Sequence, residues 1–402
     1  MRVLLTSDLY RPSIGGTERH VEQLASALGS LGHHVSVVTT SPALGASDPP
    51  NVHRIGGWAE VVIRRRARPE QHFHPPLADP GVVQRLVERC RTDRIDLIHA
   101  HGWIAHSAVV AARRCDVPIV VGLHDYGLDC ARRSRLLPDG STCDGPSSER
   151  CRPCAASAYG RVRGELIVGG LRRSARWWDQ VDAFVANSEA VAEAARDAGV
   201  PCAVAAPWIA PRPTEGTPVA GLPDEPFVLY AGAHSHHKGV ATLAAAWTPT
   251  APAPLVALLS RPEATPPPLP PGTIEHRDVA LAEVLATMAR AAIVVVPSIF
   301  PEPFGLVATE AMWAQTAVVA SAVGGLPHVL DGGAAGVLVP PGDDRALRAA
   351  IIDLLADDER RAALGAEGRR RALQLDGTQA ILEVYAAVLA GHLQALPASL
   401  RT

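Results

Sequence analysis

Short apolar runs alternate with amphipathic segments twice along this 402-residue chain, and an aperiodic Pro/Gly-rich stretch, Ala205–Pro226, divides the two series. That alternation constrains the fold most, because strand–helix–strand units bury their apolar faces by layering helices on a parallel sheet. In the first series Val3–Thr6 reads as a short buried strand, Ser13–Thr17 as a turn, Glu18–Leu31 as a helix ended by Gly32, and Val35–Thr39 as the next strand. Strands follow at Leu97–Ala100, Pro118–Leu123 and Ala183–Ala186, with helices at Pro80–Thr92 and Ala105–Arg114 between them. The second series has strands at Phe227–Ala231, Leu255–Leu259, Ile293–Val296, Ala317–Ala320 and Gly336–Val339, and helices at Leu281–Ala289, Leu306–Trp313 and Asp344–Ala356. The fold class expected is α/β: two doubly wound domains, residues 1–205 and 226–376, joined by a linker at 206–225 and facing across a cleft at the carboxyl ends of both sheets. A last helix, Thr378–Leu393, follows the break at Asp376-Gly377; residues 377–402 are expected to pack back on the first domain.

Composition narrows the function. The length exceeds what one ordinary core accommodates, and 47% apolar residues with 4% aromatics fits Ala/Val/Leu-rich α/β layers rather than disorder. A net charge of −3 argues against a nucleic-acid partner. The first residues lack a leader-like apolar region, and no run approaches the length of a membrane span, so a cytoplasmic location is expected. Two basic segments, Arg64–Arg68 and Arg161–Arg176 with Trp177-Trp178 behind it, read as a solvated surface with aromatics in the core, as a peripheral contact with anionic lipid, or as a face toward a charged acceptor.

Lys238 is the only lysine among 38 basic residues. It lies in a glycine-bearing turn, Ala231–Gly239, just after a strand. A compact ammonium on a flexible stem suits a phosphate oxygen where a planar guanidinium would sit differently. The strongest local signal is Glu302–Glu310, which follows a buried strand and opens a helix near Gly305. Free N–H groups at such a helix start attract anions, and an acceptor-only carboxylate at Glu310 can hold two neighbouring hydroxyls, as on a ribose. Capping and solvation are the plainer reading for both glutamates.

In order along the chain, Gly15-Gly16-Thr17-Glu18, His124-Asp125, Asn187-Ser188, Lys238-Gly239, Glu302 with Glu310, and Gly324-Gly325-Leu326-Pro327 resemble the retaining, nucleotide-sugar-dependent glycosyltransferases of family 4, whose two Rossmann-like domains form the GT-B architecture. The resemblance covers nearly the whole chain. It implies transfer of a sugar from a nucleoside diphosphate to a hydroxyl acceptor, with the first domain binding acceptor and the second binding donor. Glu310 would then bind the donor ribose and Lys238 the diphosphate. Glu302 and the backbone amides of Phe304, Gly305 and Leu306 would hold the sugar hydroxyls. His124 would touch the sugar and the forming bond, and Gly15 and Gly16 would let backbone amides approach the donor phosphates or the acceptor. Attack from the leaving-group side is implied, with the departing phosphate taking the acceptor's proton. No Asp-x-Asp motif is present, so no catalytic metal is expected. Departures from the family pattern are Ala233 where an arginine is common, His328 where a glutamate is common, Gln315 where a glycine is common, and a Pro-rich segment, Arg261–Gly272, where a helix is expected to be shortened or lost. These departures bear on donor identity more than on reaction class; Ala233 and His328 keep a non-catalytic partner subunit open as an alternative, and the shared architecture keeps a nucleotide-sugar 2-epimerase open, against which the Glu302 and Glu310 pair stands.

Cys130, Cys143, Cys151 and Cys154 fall in an insertion, 130–154, that ends in the knuckle Cys151-Arg-Pro-Cys154. Four cysteines at such spacing in a cytosolic chain suit a structural zinc ion, with two disulfides or free thiols as the alternatives. Cys90, Cys115 and Cys202 read as small buried residues.

Overall fold

A computed structural model of the chain describes residues 1–11, 15–41, 48–58, 74–207, 216–247, 250–260 and 265–391. The chain forms two compact units: Met1–Pro138, Cys143–Ala210 and Asp376–Thr402 make the first, and Asp139–Thr142 with Pro211–Leu375 the second.

The first unit runs β1 (Arg2–Ser7), α1 (Gly16–Ser30), β2 (His34–Thr39), β3 (Val52–Arg54), α2 (Pro80–Asp93), β4 (Leu97–His101), α3 (Ala105–Cys115), β5 (Ile119–Leu123), α4 (Cys151–Tyr159), α5 (Arg161–Ser174), β6 (Ala183–Ala186), α6 (Glu189–Asp197) and β7 (Ala203–Val204). Its sheet is parallel throughout, in the order β3-β2-β1-β4-β5-β6-β7. The second unit runs β8 (Val228–Ala233), α7 (Val240–Ala246), β9 (Leu255–Ser260), β10 (Ile274–Arg277), α8 (Leu281–Met288), β11 (Ile293–Val296), α9 (Leu306–Trp313), β12 (Ala317–Ser321), α10 (Leu326–Val329), β13 (Val337–Val339), α11 (Asp344–Leu355) and α12 (Asp358–Gln374). Its sheet, also parallel, is ordered β10-β9-β8-β11-β12-β13. Each is the doubly wound order in which the strand sequence reverses beside the first strand, so that ligand-bearing loops gather at the carboxyl ends there.

The central strands read as continuous apolar runs because both faces are covered. Val3, Leu4, Leu5, Val228, Leu229 and Ile293–Val295 have no exposed surface. The last helix, α13 (Thr378–Leu389), returns to the first unit. Ile381, Val384, Tyr385 and Val388 pack with Val3, Leu5 and Leu24 in one core cluster.

Several elements differ from the sequence expectation. Asp358–Gln374 gives no helical signal because it is strongly charged and holds two glycines, yet it forms α12. Gly365 and Gly368 are buried there; a Cβ on Gly365 would stand 2.3 Å from the Gln315 carbonyl oxygen, and one on Gly368 would press on the Met312 side chain at 3.2 Å. Strand β10 was missed because Ile274–Arg277 alternates half-buried and exposed residues at a sheet edge. The stretch 206–225 is not all linker: Val219 is buried and its N–H donates to Thr287 Oγ1 at 3.1 Å. Its residues 208–215 lie outside the described residues, as does the basic segment 64–68. No helix among the described residues is long and apolar enough to cross a membrane.

Candidate active site

Three loops meet at the carboxyl end of the second sheet. After β8 the chain turns through His236–Lys238, and Gly239 takes φ +75°. A Cβ on Gly239 would lie 1.7 Å from the Pro297 carbonyl oxygen, so only glycine lets this turn press against the loop after β11. The Ile299 N–H closes the contact by donating to the His237 carbonyl at 3.0 Å. The third loop behaves alike: Gly324 has φ +59°, and a Cβ there would come within 2.3 Å of the Glu302 carbonyl oxygen. Gly325 N–H donates to that same carbonyl at 2.7 Å. The Gly324-Gly325 pair is therefore a backbone-to-backbone brace for the Glu302 loop.

Within this brace Lys238 Nζ donates to Glu302 Oε1 at 2.7 Å, and Ser298 Oγ donates to the same oxygen at 2.6 Å. The Lys238 ammonium also sits 4.7 Å from the centre of the Phe300 ring, a cation–π distance. Glu302 was expected just ahead of the helix amides, with capping and solvation as the plainer reading. It is instead buried, at 6% exposure, and engaged by two donors. Phe304 and Gly305 are buried, Leu306 opens α9 and Glu310 is half-buried one turn further on. Gln315, where the family pattern has glycine, adopts φ +62°, which is the physical reason glycine is common at that place. Of the neighbouring histidines, His234 is buried with Nε2 2.7 Å from the Pro267 carbonyl, and His237 stacks edge-on against Phe300.

The carboxyl end of the first sheet carries a different chemistry. His124 follows β5, and its Nε2 is 2.7 Å from His101 Nδ1 at the end of β4. His20 of α1 lies 4.8 Å from His124, ring to ring, and His99 lies 4.1 Å from His101. His99 Nδ1 is 2.7 Å from the Tyr385 hydroxyl of α13. Burial pushes the imidazoles of His124 and His99 down to about 3, and neighbouring histidines push the same way; His20 and His101 are held well below the ordinary range by the same causes. Asn187 Nδ2 donates to the His124 carbonyl at 3.0 Å, and Ser188 caps α6 by accepting from Val191 N–H, which gives the Asn187-Ser188 pair a structural meaning.

Sequence reasoning missed Asp8, His20, His99, His101 and Arg133. Asp8, at the end of β1, accepts from the N–H groups of Trp103 at 2.8 Å and Ile104 at 2.5 Å. Burial raises its carboxyl to about 6, against the lowering by Arg133 and those amides. Arg133 pairs with Asp125 at 2.7 Å and with Asp8 at 3.8 Å. The available signal was His99-Ala-His101 at the end of a strand, where alternate residues share a face.

Gly15 is extended and Gly16 begins α1; a Cβ on Gly15 would meet the Glu18 carboxylate at 2.3 Å, so that side chain folds back over the glycine. Trp178 packs on His106 and Phe184, and Trp177 lies against the same core, so the aromatic pair is half-buried. None of the seven cysteines is joined in a disulfide. Cys130, Cys143, Cys151 and Cys154 line one cavity, with Ser147 N–H donating to Cys151 Sγ at 3.2 Å at the start of α4. Among the described residues the group of three metal-capable side chains with ligand atoms within 4.8 Å of one another is His20, His101 and His124, not the thiols.

Comparison with known proteins agrees with both halves. Residues 14–208 match the model of Glycosyltransferase Family 4, and residues 277–371 that of Glycosyl transferases group 1. A glycogen synthase of Mycobacterium tuberculosis is 29% identical, covering 99% of this chain and 97% of its own. A D-inositol 3-phosphate glycosyltransferase of Xylanimonas cellulosilytica is 31% identical, covering 95% of this chain and 94% of its own. Among solved structures, sucrose-phosphate synthase of Thermosynechococcus elongatus superposes with a TM-score of 0.69 at 24% identity, over 97% of this chain and 99% of that one. Anabaena HepE in complex with UDP-glucose superposes with a TM-score of 0.66 at 18% identity, over 97% and 100%. The chain belongs to the family 4, group 1 glycosyltransferases of GT-B fold.

Proposed function

We propose that this glycosyltransferase is a retaining hexosyltransferase that uses a nucleoside-diphosphate sugar as donor and a hydroxyl compound as acceptor. The observation that carries the reading is the Lys238–Glu302 pair, 2.7 Å apart and placed directly before the start of α9. In this proposal the donor diphosphate takes over Lys238, and Glu302 turns its oxygens to the sugar hydroxyls. Glu310 accepts from the ribose hydroxyls, and the amides of Phe304, Gly305 and Leu306 face the sugar. The reaction breaks the bond between the anomeric carbon and the β-phosphate oxygen and forms one to the acceptor oxygen on the same face. The acceptor's proton passes to the departing phosphate. Lys238 stabilises the charge that grows on that phosphate, an electrostatic contribution already positioned before the bond breaks. His124, neutral through the physiological range, offers a hydrogen bond without bringing a second positive charge. Gly15 and Gly16 remain assigned to backbone approach by phosphate or acceptor, which requires Glu18 to move off Gly15.

The thiol set fits a structural zinc ion in donor chemistry: four sulfurs on one cavity, two of them in the first turn of a helix. Around a Zn–S bond of about 2.3 Å the thiols would stand about 3.8 Å from one another. Cys130, Cys143, Cys151 and Cys154 would hold the ion and pin the insertion, with no part in transfer.

Two donor-site variants separate binding from catalysis. Lys238→Ala should lose on the order of 10²–10³ in kcat, since one charge-assisted contact in the transition state is worth roughly 2–4 kcal/mol. Glu310→Ala should mainly weaken nucleoside-diphosphate binding in calorimetry; unchanged affinity there, or a Lys238→Ala kcat within threefold of wild type, contradicts the assignments. For the cysteines, metal analysis of purified protein should find about one zinc per chain that Cys151→Ser removes; four thiols that all react in the native state, with no zinc, overturn the site. Acid should destabilise the fold. His74 and His106 are held by burial at about 4 and about 3, so they stay neutral when folded and take up protons on unfolding. The unfolded state therefore binds more protons below pH 6.5, and stability present above that pH is lost as pH falls toward 4. Asp8, raised to about 6, works the opposite way between 6 and 3.8, but it is one group against these two and the site imidazoles. Urea midpoints measured from pH 7.5 to 5 should fall; a midpoint that rises on acidification contradicts the burial of neutral imidazoles.

A further inference from the structure

Four imidazoles converge at the end of the first sheet, and the transfer reading uses only one. His99 and His101 share a face of β4, His124 follows β5 and His20 lies in the second turn of α1. One nitrogen from each of His20, His101 and His124 lies within 4.8 Å of the others. The spot they surround is defined by a missing side chain. A Cβ on Gly122 would stand 2.8 Å from His101 Nδ1, 3.0 Å from His124 Nε2 and 3.1 Å from His99 Nε2. Three ring nitrogens thus face one place that any residue larger than glycine would fill.

Two nitrogens of the cluster, His99 Nε2 among them, are out of balance. His99 Nε2 and His101 Nε2 are fully buried and have no hydrogen-bond partner. A buried polar atom left unpaired is destabilising, so an apolar residue at either place would be cheaper. Packing alone gives no reason to gather four imidazoles here. A cation that takes up the lone pairs of the nitrogens facing Gly122, the orphaned His99 Nε2 among them, does.

We propose that His20, His101 and His124 form a binding site for one divalent transition-metal ion of the imidazole-preferring kind, with His99 Nε2 beside it as a further nitrogen donor. The donor type fits, because neutral imidazoles suit zinc, copper and nickel. The neutral form is the one that binds, and burial maintains it. The distances fit as well. A tetrahedral ion with metal–nitrogen bonds of about 2.0 Å holds its ligands about 3.3 Å apart, so the His101–His124 contact of 2.7 Å opens by about 0.6 Å and the widest of the three separations, within 4.8 Å, closes by up to about 1.5 Å. The Tyr385 hydroxyl on His99 Nδ1 orients that ring from behind, as outer partners of metal-bound histidines do. The neighbouring cation Arg133 is countered by Asp125 and Asp8. A bound ion ties α1, β4 and β5 together. It also occupies His124, so on the transfer reading above it competes with catalysis and makes the site inhibitory.

The test uses the full-length protein, stripped with a chelator and kept reduced, and Ni²⁺ as the probe. Calorimetry should show one ion more per chain in the wild type than in His20→Gln, and affinity at that site should fall at least about 100-fold in His20→Gln and His101→Gln. Excess Ni²⁺ should raise the melting temperature of the wild type and not that of His20→Gln. Circular dichroism checks folding, and His20→Gln, on a helix, carries the test if His101→Gln does not fold. Equal stoichiometry and affinity in wild type and His20→Gln, or loss of all Ni²⁺ binding in Cys154→Ser with none in the histidine variants, overturns the site. Binding is read without turnover, so its failure is distinct from failure of the transfer reading.

Discussion

One ion pair organises the sheet end of the second unit. Lys238 comes from the turn after β8 and Glu302 from the loop after β11, and they meet at 2.7 Å because glycines let three loops touch backbone to backbone. Remove the approach of Gly239 to Pro297 and the lysine has no fixed place. Remove that of Gly324 to Glu302 and the carboxylate has none. The pair does in the ligand-free protein what the diphosphate does in the proposed complex: it holds the ammonium in one position, so little reorganisation remains when the bond breaks. A long exposed lysine left alone would sample many rotamers and lose that advantage.

The two units solve the same problem, a polar site at a sheet end, by opposite means. In the second unit charges are paired: an ammonium, a carboxylate, a hydroxyl and a ring face. In the first, buried imidazoles are kept neutral by desolvation, and the charged groups around them, Asp8, Arg133 and Asp125, neutralise one another. Tyr385 shows how far the arrangement reaches. A residue near the end of the chain returns to the first unit's core and places its hydroxyl on His99.

Much of this was legible in the sequence, and the reason is periodicity. Buried parallel strands such as Val3–Thr6 and Ile293–Val296 write themselves as continuous apolar runs, and α9 was readable to its end residues. What escaped had no such pattern. Helix α12 is charged and glycine-bearing, and its glycines are explained only by what it packs on, Gln315 and Met312. The site motifs were legible as glycines and acids in order. Their linkage was not, since contact between Lys238 and Glu302, 64 residues apart, follows from strand order. The imidazole cluster was hidden for the same reason: His20, His99, His101 and His124 lie on three elements that become neighbours only when β1, β4 and β5 line up. The lone lysine drew attention as a composition anomaly, whereas a histidine among 16 did not.

Lys238 and Glu302 hold each other in place before the donor binds, so on the transfer reading neither reaches its full effect without the other. A double-mutant cycle on kcat/KM with Lys238→Ala, Glu302→Gln and the double variant measures that coupling directly. The account predicts strong non-additivity: the double variant should lose less than the two single losses combined, by about 1 kcal/mol or more. Losses that add within about 0.3–0.5 kcal/mol would show two residues acting independently and would contradict it.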